Sequence, residues 1–193
     1  MTTTAAPSTE ATTTAGFGGR LLRLYLGRFV FAVLWAGLLF LAAPSGGFLL
    51  TALLVIYPLV DAAAVGWQLR SPRREPGSRT AEQINVAVSV IVAIALGVAV
   101  TFSAAAALAV WGLWAIGSGL PQLIAAIRNR RSGGQVPQML SGGISVLAGS
   151  AFFSQGLAGS EAIGGVGGYA ILGGVFFLLS AIRLALLVRK SAA

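Results

Sequence analysis

The chain contains no cysteine and no histidine. Without cysteine there is no disulfide, no thiolate nucleophile and no sulfur ligand; without histidine there is no imidazole base and none of the usual zinc sites. Charge is scarce as well, at 9% of 193 residues. The five acids, Glu10, Asp61, Glu75, Glu82 and Glu161, are spread along the chain and cannot supply the carboxylate cluster with which metal-dependent headgroup transferases hold their ion. Intramembrane serine proteolysis lacks its histidine here, and aspartyl proteolysis lacks its second membrane carboxylate. The pairs Gly164-Gly165 and Gly167-Gly168 have neither the lysine nor the preceding strand of a phosphate loop. The expectation is a protein that is not an enzyme and carries no cofactor and no metal.

What the chain has in quantity is apolar surface. Hydrophobic residues make up 56% of it and the mean hydropathy is +0.87, and its apolar runs reach the roughly 20 residues with which a helix crosses the hydrocarbon core. An integral membrane protein is expected, with the lipid bilayer as its first partner. The net charge of +8 does not point to nucleic acid, because the thirteen basic residues sit between apolar segments and are not interleaved with aromatics on one surface.

Residues 1–19 open with MTTTAAPSTEATTTAG, which holds seven threonines and no large apolar side chain and so cannot offset the entropy of ordering. They read as a disordered tail, followed by one transmembrane domain over residues 20–190. A cleavable leader with its apolar core at residues 29–43 is the weaker reading, since the polar lead-in is long and Pro44 crowds the cleavage region. Spans are expected at about 28–43, 48–69, 84–101, 105–127, 138–154 and 163–188. Pro44-Ser45-Gly46-Gly47 separates the first two, the arginine-rich residues 70–83 read as a loop, and RNRRSGGQVP and GLAGSE separate the later ones. Residues 84–127 carry no charge and as one helix would reach about 66 Å, twice the core, so a turn is needed near residues 101–105 although no Gly or Pro marks it.

This division gives an all-α, polytopic bundle of six spans in three helical hairpins. It also sorts the charges. Arg20, Arg23 and Arg28, then Arg70, Arg73, Arg74 and Arg79, then Arg128, Arg130 and Arg131, and last Arg183, Arg189 and Lys190 all fall on one side, and the three other turns hold none. By the positive-inside rule that side is the cytoplasm, with both termini in it and anionic lipid headgroups beside it.

WGLWAIGSGLPQLIAAIR, residues 111–128, aligns without gaps with VGGYAILGGVFFLLSAIR, residues 166–183, and eight of eighteen positions are identical. Chance in so biased a composition would give about two, which makes a repeated hairpin the better account. Ala115 and Gly119, Ala170 and Gly174, Gly164 and Gly168, and the series Ser141, Ser145, Gly149 are small residues four apart, a spacing that lets helix backbones approach in lipid and that suits packing within the bundle or self-association into a homo-oligomer.

These two hairpins, with the stretches WGLWAIGSGLPQLIAAIRNRR, SGGISVLAGSAFF and GGYAILGGVFFLLSAIRLALLVRK, resemble the HdeD family of short bacterial acid-resistance membrane proteins. The resemblance implies a six-span protein of the bacterial inner membrane with a structural or stress-response role, and no catalytic residues to carry across. A small transporter or channel subunit is the rival expectation, because an ionisable residue inside a span is a functional candidate in its own right.

That residue is Asp61, in VIYPLVDAAAV. Counted along their helices, Asp61 lies about 12 Å inside the basic boundary, and Gln122 and Arg183 lie about 8 Å inside it. Three polar side chains at a common depth suggest one intramembrane cluster, with Asp61 paired to Arg183 and Gln122 beside them. In the alternative, Arg183 marks the membrane edge as Arg128 does in the other repeat, and Asp61 is protonated or bonded locally beside Pro58.

Overall fold

The computed structural model describes residues 9–70, 76–128, 130 and 136–192. Six helices occupy nearly all of it: α1 (Thr9–Ala42), α2 (Gly47–Leu69), α3 (Pro76–Phe102), α4 (Ala104–Arg128), α5 (Val136–Leu157) and α6 (Gly165–Ala192). Among the described residues there is no strand. Every helix contains a stretch long and apolar enough to cross a membrane, from Gly19–Ala42 in α1 to Gly165–Leu187 in α6. The protein is a multi-pass membrane bundle of six spans. Because the number of passes is even, both ends of the described chain lie at one end of it, together with Arg20, Arg23, Arg70, Arg128 and Arg130; this is termed the basic end.

The turns show why the helices stop where they do. At the unmarked turn between α3 and α4, Ser103 stands alone between two helices, and its Oγ accepts the N–H of Ala106 at 3.0 Å. That is an N-cap, so a serine does the work that no Gly or Pro was present to do. After α5 the N–H of Ser160 donates to the Gln155 carbonyl at 2.9 Å and that of Gly159 to Gly156 at 3.1 Å, with Gly159 at φ 79, the left-handed closure that favours glycine. Two boundaries differ from expectation. α1 begins at Thr9, inside the segment expected to be tail, because alanine and threonine can extend a helix that an apolar span has already nucleated. α3 begins at Pro76, inside the expected loop, with the proline at a first-turn position where its missing N–H costs nothing. Residues 1–8, 71–75, 129 and 131–135, which complete the expected tail and loops, lie outside the described residues.

Each helix packs on its neighbours in sequence and α6 returns to α1, which closes the six into a ring. Contact is closest between α4 and α5, α1 and α6, and α2 and α3, and slight between α1 and α2 and between α5 and α6. The close pairs are therefore the ones joined at the basic end or closing the ring. Trp35, Leu39, Leu54, Leu96, Leu108, Trp111 and Val166 fill the interior, while Leu41, Phe48, Phe102 and Leu147 face outward as a lipid solvent requires.

Small residues explain the closest pair. Ala105, Gly112, Gly119 and Ala126 recur every seven residues along one buried stripe of α4, and Gly142, Gly149 and Gly156 do so along α5. A Cβ on Gly119 would stand 2.5 Å from the Ser145 Cβ, one on Gly149 would stand 2.7 Å from the Gly112 carbonyl, and one on Gly156 would stand 2.5 Å from the backbone nitrogen of Ala109. The repeat carries the stripe into α6 as Gly167, Gly174 and Ala181, where a Cβ on Gly174 would come within 3.2 Å of Ala32 and one on Gly167 within 2.9 Å of the Phe40 ring, both on α1. Ala115 and Ala170 are fully buried in the core. The four-residue spacing fits less well: Gly164 lies in the turn before α6, Gly168 meets nothing within 4 Å, and Gly142 rather than Ser141 makes the close approach. Seven residues are two helical turns, which keeps a stripe on one face along a whole span.

Valine at Gly112 or Gly149 is expected to lower stability in detergent micelles by about 1 to 3 kcal/mol, and alanine at Gly168 to change it by less than about 0.5 kcal/mol. Equal losses at all three positions would show that close helix approach is not what these glycines serve.

Candidate functional site

Asp61 sits in α2, three residues after Pro58 and inside the membrane span. Its Oδ1 accepts a hydrogen bond from Arg28 Nη2 in an ion pair, and its Oδ2 accepts one from Asn85 Nδ2 at 3.1 Å. Both charged side chains are about 15% exposed. The depths agree: Arg28 lies 14 residues before the end of α1 at Ala42, and Asp61 lies 14 residues after the start of α2 at Gly47. Phe177 of α6 completes the arrangement, with the Arg28 guanidinium carbon 4.0 Å from its ring centroid and the Tyr25 ring stacked on it at 6.4 Å. One acid thus connects four helices, α1 and α6 through Arg28 and Phe177, α2 through its own backbone, and α3 through Asn85.

Beside the pair, Arg28, Phe31, Tyr57, Val60, Asp61 and Phe177 line a cavity of about 20 Å³, room for one water. Above it lies a cage of aromatic rings. Trp35 is 4.5 Å from Tyr57 and stacked at 5.5 Å on Trp111, Trp111 meets Trp114 edge-on at 5.2 Å, and Phe31 is 5.6 Å from Tyr57. Their polar atoms are used to tie helices. Pro58, which has no N–H, leaves the carbonyl at position 54 without its helical partner and loosens the preceding turn, and there Trp35 Nε1 donates to the Leu53 carbonyl at 2.7 Å. Trp114 Nε1 donates to Ser89 Oγ at 3.0 Å, and Tyr169 OH donates to Ser145 Oγ at 2.9 Å. Trp111 Nε1 is buried with no acceptor among the described residues, facing rings instead.

The expected trio of Asp61, Gln122 and Arg183 is not brought together. Arg28 takes the place foreseen for Arg183. Phe177 shows why: the six residues from it to Arg183 turn the helix by about 600°, so the two side chains leave α6 in different directions. Arg183 is exposed on the flank of α6, on a groove with Leu179, Ile182, Leu186 and Leu187. Gln122 shares the stripe of Gly119 and Ala126, which faces α5, and its Nε2 reaches the Gln138 carbonyl at 3.4 Å. Common depth was the right requirement, but the direction of each side chain around its helix decides the partner.

Arg28, Asn85, Ser89 and Phe177 were missed. The expected span starts at Arg28, whereas the apolar helical span begins at Gly19 and Arg28 is nine residues inside it. A signal existed for two others: Asn85 and Ser89, four apart on α3, lie on one helical face. Among the described residues no group of three potential metal ligands occurs.

The fold defines a class, the multi-pass helical membrane proteins with an intramembrane ion pair. Neither a family model, nor a curated protein, nor a solved structure matches the chain.

Removing one member of a desolvated ion pair strands the other charge. Arg28→Gln and Asp61→Asn are each expected to destabilise the bundle by about 3 kcal/mol or more, and the double variant to lose less than the sum by at least about 1 kcal/mol. The same cycle on Asp61 and Arg183 should be additive. Coupling to Arg183 and none to Arg28 in unfolding titrations would refute the assignment.

Proposed function

We propose that the protein is a non-catalytic component of a bacterial inner membrane with a structural or stress-response role, as its resemblance to the HdeD acid-resistance family implies. Both termini and the basic end then face the cytoplasm, where anionic headgroups meet the arginine clusters. The observation that carries this reading is the position of the Asp61–Arg28 pair. It lies in the basic half of the bundle, while the interior of the other half is filled by Leu39, Leu50, Leu54, Leu96, Leu108, Ile163 and Val166, with no carboxylate or cationic side chain buried there among the described residues. A charge that reaches one side only suits a device that responds to the cytoplasm better than a path across the bilayer.

The pair is the tie on which such a device would act. Asp61 is faced by Arg28 from α1 and Asn85 from α3, and Arg28 by Phe177 from α6, so loss of the pair loosens α1 from α2 while Arg28 keeps the face of Phe177.

A strain lacking the protein is expected to survive acid challenge poorly, to recover with the wild-type chain and to recover less with Asp61→Asn. Full survival without the protein, or equal rescue by both, would remove this reading. The rival, a small transporter or channel subunit, draws on the cavity beside the pair. Reconstituted in liposomes, the protein is expected to show no Asp61-dependent flux of protons or solutes, and such a flux would make the rival the better account.

A further inference from the structure

We propose that the flank of α6 around Arg183 is a binding site for one anionic phospholipid, with the lipid phosphate on the Arg183 guanidinium and an acyl chain laid along the apolar residues beside it. This goes beyond the stress-response reading and holds with or without that role.

The site follows from the way α6 sits in the ring. Its stripe of Gly167, Gly174 and Ala181 faces α1, where a Cβ on either glycine would meet Phe40 or Ala32. At 100° per residue, Leu179, Ile182, Arg183 and Leu186 lie about 100° to 200° around the helix from Ala181, on the side turned away from α1. In a closed ring that side belongs to α5. At the far end it does meet α5: Tyr169 OH donates to Ser145 Oγ at 2.9 Å, and the Tyr169 ring meets Phe152 edge-on at 6.0 Å. Tyr169 and Arg183 are fourteen residues apart, which is four turns less about 40°, so they share this side. Yet contact between α5 and α6 is the slightest between neighbours in the ring. Toward the basic end the flank is uncovered: Leu179, Ile182, Leu186 and Leu187 are each at least half exposed and, with Arg183, line a groove of about 300 Å³.

The chemistry of the groove names its occupant. It holds a guanidinium among three leucines and an isoleucine, with no acid in its lining, which suits a molecule that is anionic at one point and apolar along its length. Arg183 stands four residues before Leu187, the last residue of the apolar span. That is about 6 Å along the axis, a depth from which a long cationic side chain reaches headgroup level. Its planar fork of N–H donors matches phosphate oxygens two at a time. Inward from it, Ile182, Leu179, Val175 and Leu172 are exposed on the same side and form a track for an acyl chain toward the middle of the bilayer.

The internal repeat supplies the contrast. Arg128 corresponds to Arg183, and Ile124 and Ile127, also exposed, correspond to Leu179 and Ile182. Arg128, however, is the last residue of its span, whereas α6 stays apolar for another turn past Arg183. Only Arg183 has apolar surface on both sides of its charge along the helix axis. A lipid seated there covers the flank that α5 leaves open and completes the ring at its basic end.

The test uses the full chain in detergent micelles, with phosphatidylglycerol as the probe and phosphatidylcholine as the zwitterionic control, and counts bound lipids by native mass spectrometry. The wild type is expected to retain one phosphatidylglycerol in preference to phosphatidylcholine. Arg183→Ala is expected to weaken that retention about fivefold, the share of one cation at headgroup level, and Arg128→Ala to change it by less than about twofold. Leu179→Trp, which keeps the charge and fills the groove, should weaken it as well. Because the chain has no cysteine, Ile182→Cys puts a single thiol on the flank and reports a second copy of the chain there as a disulfide-linked dimer. Equal retention of the two lipids, undiminished retention by Arg183→Ala, equal losses at Arg183 and Arg128, or complete dimerisation of Ile182→Cys in phosphatidylglycerol nanodiscs would each overturn the proposal.

Discussion

An ionised side chain inside a bilayer must be paired and hydrogen-bonded within the protein, because lipid offers it nothing. That requirement organises the bundle. Asp61 is met by Arg28 on one oxygen and Asn85 on the other, and Arg28 is met in turn by Phe177. Satisfying a single acid fixes the rotation of four helices, since each partner must face the axis at the same depth. An apolar core could be packed in several rotations of these helices; the polar core accepts one.

Lipid also removes the hydrophobic drive between helices, so adhesion has to come from close contact. The chain supplies it with small residues at seven-residue spacing on α4, α5 and α6, and with tryptophans whose ring nitrogens bridge to α2 and α3. The two devices divide the work. Glycine and alanine stripes join the pairs α4 and α5, and α6 and α1, from the side, while the aromatic cage and the ion pair fill the middle where six helices leave more room than aliphatic side chains close. The α1–α2 seam, where the two helices touch only slightly, is the one that the Asp61–Arg28 pair spans.

Span number and one-sided charge were legible because both follow from solvation: apolar length counts crossings, and arginine marks one face. The repeat of residues 111–128 in 166–183 also foretold real contacts, for its shared Gly112/Gly167, Gly119/Gly174 and Ala126/Ala181 include the positions that touch the neighbouring helix. The site was legible in one residue. Asp61 stands out as a charge where none belongs, but depth alone points to polar residues near the helix ends and leaves the angle around each helix open. Arg28 was hidden by its two arginine neighbours, which drew the membrane boundary inward past it. Asn85 is the second residue of the span expected at 84–101, at its apparent edge, whereas α3 starts at Pro76 and the apolar span at Glu82.

The claim on which the rest depends is that Asp61 bonds Arg28 within the membrane. Solid-state NMR of the protein in lipid, with the Asp61 carboxyl carbon and arginine side-chain nitrogens labelled, measures that contact through dipolar coupling, and Arg28→Gln assigns it. The account predicts a coupling that corresponds to about 4 Å or less, the distance of a direct guanidinium–carboxylate hydrogen bond, lost in Arg28→Gln and kept in Arg183→Gln. A coupling that survives Arg28→Gln and disappears with Arg183→Gln would contradict it.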